Sequence, residues 1–271
     1  YKSILNQLKN VTSTEELDDL IEIIWKLSNE NIIFQKSLYT KILKNEYIDS
    51  NSIPSVLYST RDTKYISNYI KTVNDLKILF DILSILRRRE FPDYEILKKT
   101  IYNKVDELID TIETVQDQIK VINGCLDPKI ISKLINTTSV RDGLISEIVE
   151  NVLNGFYHND GLLELSETLV TYLPKSDIHL LCKLYRSLKN KLSDSEYTKF
   201  KSTFNIRILM DLEEEDLTNG DIRYIIDVID FNSKTLLKAL MNNKVFSDPN
   251  YAISNYKYVF GVIKHRYNNS T

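Results

Sequence analysis

The stretch Thr14-Glu15-Glu16-Leu17-Asp18-Asp19-Leu20-Ile21-Glu22-Ile23-Ile24-Trp25-Lys26-Leu27-Ser28 decides the fold class of this chain. Leu17, Leu20, Ile21, Ile24 and Leu27 recur at three- and four-residue steps against Asp18, Asp19, Glu22 and Lys26, the pattern of a helix with one apolar face. Ser13, three residues before Glu16, has the form of a capping box. The helix is therefore expected to start near Thr14 and to end near Ser28, before the polar Asn29-Glu30-Asn31.

The same periodicity predicts helices over 2–10, 36–46, 53–59, 63–72, 75–88, 94–108, 111–122, 128–136, 140–156, 160–172, 176–189, 194–204, 217–228, 233–242 and 249–266. Strand-like alternation bounded by turn residues is nearly absent. The chain has 6 Gly and 5 Pro in 271 residues, where a usual combined share is about 12%, so hairpins and nucleotide loops lack their punctuation. Asn154-Gly155 and Asn219-Gly220 read as helix C-caps or interhelical turns.

Short linkers between such helices favour antiparallel pairs that stack on their neighbours. Shifting the chain on itself by 59 residues aligns Leu17 with Leu76, Leu20 with Leu79, Ile24 with Leu83, Leu27 with Leu86, Leu38 with Leu97 and Ile42 with Ile101. Helix, loop and following helix keep this register, which points to an internal repeat. Pro54, Pro92 and Pro128 each fall between predicted helices, where a missing N–H does no harm. The expected fold is all-α, a right-handed α-solenoid of stacked antiparallel helical hairpins. It is read as one elongated domain over 1–271, regular over 1–122 and a degenerate continuation over 123–271. The expected core includes Leu17, Leu20, Ile24, Leu27, Leu76, Leu79, Leu83, Leu86, Ile131, Leu134, Leu165, Leu169, Leu184, Ile225 and Leu236.

Thirty-five basic residues face 38 acidic ones, for a net charge of −3, so no global field draws the protein to nucleic acid or an anionic membrane, and a polyanion would need a local patch. Cys125 and Cys182 are too few for a disulfide framework and sit in apolar helical patterns, as buried thiols do. No stretch reaches the ~18 apolar residues of a membrane span. The start at Tyr1 without Met suggests a processed chain or a fragment, which leaves room for a lost targeting peptide. His158, His179 and His265 share no metal-ligand spacing with each other or with the cysteines. The sequence lacks His-Glu-x-x-His, Gly-x-x-x-x-Gly-Lys, Gly-x-Gly-x-x-Gly and Gly-x-Ser-x-Gly. The expectation is a protein without catalysis, cofactor, metal or small-molecule substrate.

Three basic clusters stand out. Arg87-Arg88-Arg89 closes a predicted helix, with Lys98 and Lys99 on the next; cations there complement a helix C-terminus or contact phosphate. Lys183, Arg186, Lys189, Lys191, Lys199 and Lys201 form a second surface, with Tyr185 and Tyr197 among them as packing residues or base-stacking platforms. Lys264-His265-Arg266 is a small third cluster. Asp211, Glu213, Glu214, Glu215 and Asp216 are the strongest acidic run, expected as a solvated loop or as a dock for a basic partner.

The segment 19–32, followed by Leu38-Tyr39-Thr40-Lys41-Ile42-Leu43, resembles a pentatricopeptide repeat, and so does Leu79–Leu86 with Phe91-Pro92-Asp93. The resemblance covers about 1–102, with Asn31 or Glu90 where the family usually has Gly. It implies a factor that holds single-stranded RNA along a groove, in transcript stability, processing or translation, and so an intracellular, mitochondrial-matrix location. Matched by position, it implies Lys2, Thr40, Lys64 and Lys99 as base-facing residues. With Arg87, Arg88, Arg89, Lys98, Lys183 and Arg186 they make the candidate nucleic-acid surface. The acidic balance supports an alternative, a protein-binding solenoid that serves as scaffold, tether or coat-type subunit.

Overall fold

The computed structural model describes residues 2–30, 34–213 and 217–268, with side chains as far as 265. The described residues form α-helices, two short 3-10 turns and no strand. The chain divides into two compact units, Tyr1–Cys125 and Leu126–Thr271.

The first unit contains α1 (Lys2–Lys9), α2 (Thr14–Asn29), α3 (Lys36–Leu43), α4 (Ile53–Ser59), α5 (Thr63–Ile70), α6 (Leu76–Arg88), α7 (Tyr94–Leu108) and α8 (Val115–Gly124). Helices pack on the next but one: α2 on α4, α4 on α6, α6 on α8 and α5 on α7, with α3 against α4 and α6 against α7. The apolar faces read from the sequence meet at these contacts. Leu17, Leu38, Ile42, Leu79, Leu97 and Ile101 are wholly buried, each contributing on the order of 2 kcal/mol. Gly124 lets α8 approach α6, since a Cβ there would lie 2.5 Å from the Phe80 ring.

The second unit contains α9 (Pro128–Thr137), α10 (Asp142–Leu153), α11 (Leu162–Tyr172), α12 (Ile178–Leu188), α13 (Asp194–Glu213), α14 (Asn219–Val228), α15 (Lys234–Asn242), α16 (Lys244–Ser247) and α17 (Ala252–Asn268). Two interleaved series run through it, α9, α11, α13, α15 and α10, α12, α14, α17, each member packed on the next of its own series. Several polar cross-links in both units join residues 31 to 37 apart in sequence. Ser28 reaches Ser59 and Tyr258 reaches Asp227, 31 residues away in each case; Ser132 meets Thr168 across 36 residues, and Arg207 meets Val170 across 37.

The structure corrects several details of the sequence reading. Ser13 does accept the Glu16 N–H, at 3.3 Å. The returning carboxylate, however, binds the N–H and hydroxyl of Thr12 at 2.8 and 3.1 Å, one residue early, so the box is not reciprocal. Reciprocal boxes stand at α13, between Ser193 and Glu196, and at α14, where Thr218 and Asp221 cap each other. Asn219-Gly220 is consequently the first turn of that helix and not a C-cap, whereas Gly155 does end α10 with φ at +76°. Every expected core residue is buried except Leu27, which is partly buried at the margin of the first cluster.

The largest correction concerns the acidic run. α13 runs nine residues beyond the expected end at 204, to Glu213, and carries Asp211 into the interior at 2% exposure. Asp211 is neither in a loop nor solvated, because Arg207 one turn earlier neutralises it. Glu214, Glu215 and Asp216 lie outside the described residues.

Candidate interaction surfaces

Of the four residues matched to base-facing positions, Lys2, Thr40, Lys64 and Lys99 stand on α1, α3, α5 and α7 respectively. Lys2, Lys64 and Lys99 are exposed and make no ion pair among the described residues. Thr40 is different: its hydroxyl donates to the Lys36 carbonyl at 3.0 Å and shares a 2.9 Å hydrogen bond with the Tyr65 hydroxyl, linking α3 to α5.

The Arg87-Arg88-Arg89 run closes α6 as the sequence implies, with Arg89 as its C-cap. Arg88 and Arg89 have different partners. Arg88 donates Nε–H to the Ser84 carbonyl at 3.4 Å, and the Arg89 guanidinium lies 5.0 Å from the centre of the Trp25 ring on α2. Such a contact stabilises by ~0.5–1 kcal/mol at an exposed site. Lys98 pairs with Glu95 at 3.3 Å, and its amine sits about 6 Å from the rings of Tyr94 and Tyr102. Next to the run, Glu90 adopts φ of +50°, the left-handed conformation for which a helix end ordinarily uses Gly.

The second basic surface is used largely within the fold. Arg186 on α12 pairs with Asp227 on α14 at 3.1 Å, and Lys201 pairs with Asp230 at 2.7 Å. Lys191 donates to the Val152 and Leu153 carbonyls at the end of α10, and burial lowers its pKa. Lys183, Lys189 and Lys199 remain exposed. Tyr185 lies 4.1 Å from Phe204, ring centre to ring centre and nearly parallel, and Tyr197 is 5.6 Å from Tyr185. The two tyrosines belong to one cluster with Phe200 and Phe204, and burial raises the Tyr197 hydroxyl above its usual range. Phe204 covers one face of the Tyr185 ring, and both tyrosines are half-buried, as packing residues are. Cys182 is buried on the same helix and its thiol is pushed up to about 12, which makes it inert at neutral pH.

The sequence reading missed a different surface. Where α11 ends and α13 passes, Val170, Leu173, Pro174, Ile206 and Met210 line a cavity of about 460 Å³. Ile206 and Met210, one turn apart on α13, are 60% and 57% exposed. The wall between them is held from beneath. Arg207 Nε donates to both carboxylate oxygens of Asp211 at 3.0 Å, while its terminal nitrogens donate to the Val170 and Leu173 carbonyls at 2.7 and 2.9 Å. One guanidinium thereby fixes the groove's floor, caps α11 and neutralises a buried carboxylate. The signal was in the sequence, since Ile206 and Met210 recur four residues apart with Arg207 and Asp211 beside them. A helix that was stopped at 204 hid it.

Among the described residues no His, Cys, Asp and Glu grouping suits a metal ion, and no helix is long and apolar enough to cross a membrane. No family model matches the chain. It is similar to Autophagy-related protein 11 of Candida albicans, 27% identical over 244 residues; the match covers 77% of this chain and 21% of that protein, so the chain spans about a fifth of its relative's length. A solved structure from the computational design of self-assembling cyclic protein homooligomers aligns with 97% of this chain and 88% of its own at 11% identity, with a TM-score of 0.16, too low for any structural equivalence.

Proposed function

We propose that the chain is an α-solenoid of helical hairpins that acts without chemistry of its own, as a protein-binding module in an autophagy-related protein. Packing of most helices on the next but one, with cross-links such as those 31 to 37 residues apart, supports the solenoid, because a hairpin repeat of that length places successive hairpins in register. The observation that carries the protein-binding reading is the groove at α11 and α13. Its exposed Ile206 and Met210 stand on a rigid Arg207–Asp211 support, and an apolar surface held in place is what a partner side chain docks into at low entropic cost. The similarity to an autophagy-related protein agrees with it.

A peptide-display selection against the whole chain, repeated with Met210→Asp and Ile206→Asp, tests this reading. Peptides that bind the native chain and lose at least tenfold in affinity with either variant support it. Peptides indifferent to both variants contradict it.

The exposed Lys2, Lys64 and Lys99 keep single-stranded RNA as a second reading, to which the mitochondrial placement belongs. In that case RNA affinity falls linearly with log salt, at a slope of about −0.7 per phosphate contact.

A further inference from the structure

In the second unit, α12 has α10 and α14 against it, and α14 has α12 and α17. α17 packs on α14 and on α16. Val259 and Asn255 are buried beneath it, the Tyr258 hydroxyl donates to Asp227 at 2.7 Å, and Tyr256 meets the Phe246 ring edge-on at 5.3 Å. Beside this anchored face lies a stripe of Ile253, Tyr256, Phe260 and Ile263, exposed by 69%, 39%, 67% and 37%. The 3-4-3 spacing puts all four on one side of the helix. A run of four such residues is unusual on a protein surface and marks an interface.

The charge around the stripe identifies what fits it. Lys257 and Lys264 follow Tyr256 and Ile263 by one residue and border the stripe along one edge, and residues 249–271 contain no Asp or Glu. We propose that this face of α17 docks an acidic amphipathic helix. Its apolar residues would cover Ile253 and Phe260, with carboxylates opposite Lys257 and Lys264. A second copy of α17 fits poorly, because it would set these lysines against their own kind. This surface is separate from the groove at α11 and α13, and the proposal does not depend on the reading given to that groove.

The test uses the full chain and two synthetic peptides of about five helical turns. They share one leucine stripe and carry either Glu or Lys at the remaining charged positions. Fluorescence anisotropy is expected to show the Glu peptide binding at least tenfold tighter than the Lys peptide, weakening as salt rises. Phe260→Ser should remove most of this binding, and Lys257→Glu with Lys264→Glu should invert the preference. The Phe260 side chain is mostly exposed, so circular dichroism should show an unchanged fold for that variant, and the charge reversal gives a readout that loss of folding cannot imitate. Equal binding of the two peptides, or binding indifferent to Phe260→Ser, overturns the proposal. So does a Phe260-dependent dimer in sedimentation equilibrium, which would assign the face to a second copy. Phe260-dependent binding to phosphatidylserine vesicles without binding of the Glu peptide would assign it to an anionic membrane and overturn it equally.

Discussion

The two units satisfy their buried helix ends with different chemistry. In the first, hydroxyls meet the end of α4: Tyr39 and Ser28 both donate to the Ser59 carbonyl, at 2.8 and 3.1 Å. In the second, charged and amide side chains close the helix ends. Lys191 closes the end of α10, Arg207 the end of α11, and the Asn243 amide donates to the Leu212 carbonyl at 2.9 Å at the end of α13. A lysine or arginine in the second unit is therefore poor grounds by itself for expecting a polyanion, since Lys191 and Arg207 are committed to carbonyls at helix ends. In the first unit Lys26, Lys36, Lys77, Lys98, Lys104 and Lys120 pair with carboxylates instead, and Lys2, Lys64 and Lys99 are exposed.

The largest test of this contrast is at Arg207. Arg207→Met should destabilise by about 3–5 kcal/mol, because it removes the guanidinium that faces the buried Asp211 carboxylate and takes a donor from two carbonyls. The double variant Arg207→Met with Asp211→Leu should recover much of that loss. Urea unfolding of the two variants checks both statements, and equal stability of the single and double variants would break the contrast. In the first unit, Tyr39→Phe removes one hydroxyl from a buried link and should cost about 1–2 kcal/mol in the same measurement.

A smaller effect is expected at Asp62, which caps α5 by accepting the Tyr65 N–H at 2.7 Å and pairs with Lys36. Asp62→Ala should cost about 1 kcal/mol. The Lys36 ammonium and the Tyr65 N–H hold the Asp62 carboxyl below the usual carboxylate range. Its folded pKa is thus lower than its unfolded one, so its contribution is complete above the ordinary carboxylate pKa of about 4 and disappears as pH falls through the folded value. Stability curves of the native chain and Asp62→Asn should converge in acid and separate above about pH 4. At the helix end beside the arginine run, Glu90→Gly should stabilise by about 1 kcal/mol, since it relieves a left-handed residue. Arg61, at φ of +51°, should not gain from the same change, because its side chain donates to the Tyr58 hydroxyl at 2.7 Å and stacks on that ring. The smallest effect belongs to Arg87→Ala, within about 0.5 kcal/mol.

Sequence periodicity exposed the helices because their apolar faces are buried at every step. The 59-residue alignment shows the same thing: Leu17 and Leu76, Leu20 and Leu79, and Ile24 and Leu83 are buried at both copies. It breaks at Ile23 and Ile82, which are 44% exposed and wholly buried. α6 has α4, α7 and α8 packed against it, while α2 has α1 and α4, so one sequence position serves two environments. Periodicity also failed wherever a charge faces inward. Asp211 reads as part of an acidic run, and its burial depends on Arg207 and on carbonyls 34 to 37 residues away, a partnership that no local pattern records. The groove was lost with it, as was the exposed stripe on α17, since a helical period over 249–266 does not by itself tell a buried apolar face from an exposed one.

The central claim is that this chain meets its partner at the apolar groove of the second unit and not along the cations of the first. A photoreactive amino acid placed in turn at positions 210 and 99 of the full chain, in cells of the source organism, tests both surfaces in one experiment. The account predicts a protein adduct from position 210 that disappears with Ile206→Asp, and no RNA adduct from position 99. RNA captured at 99, with nothing captured at 210, would contradict it.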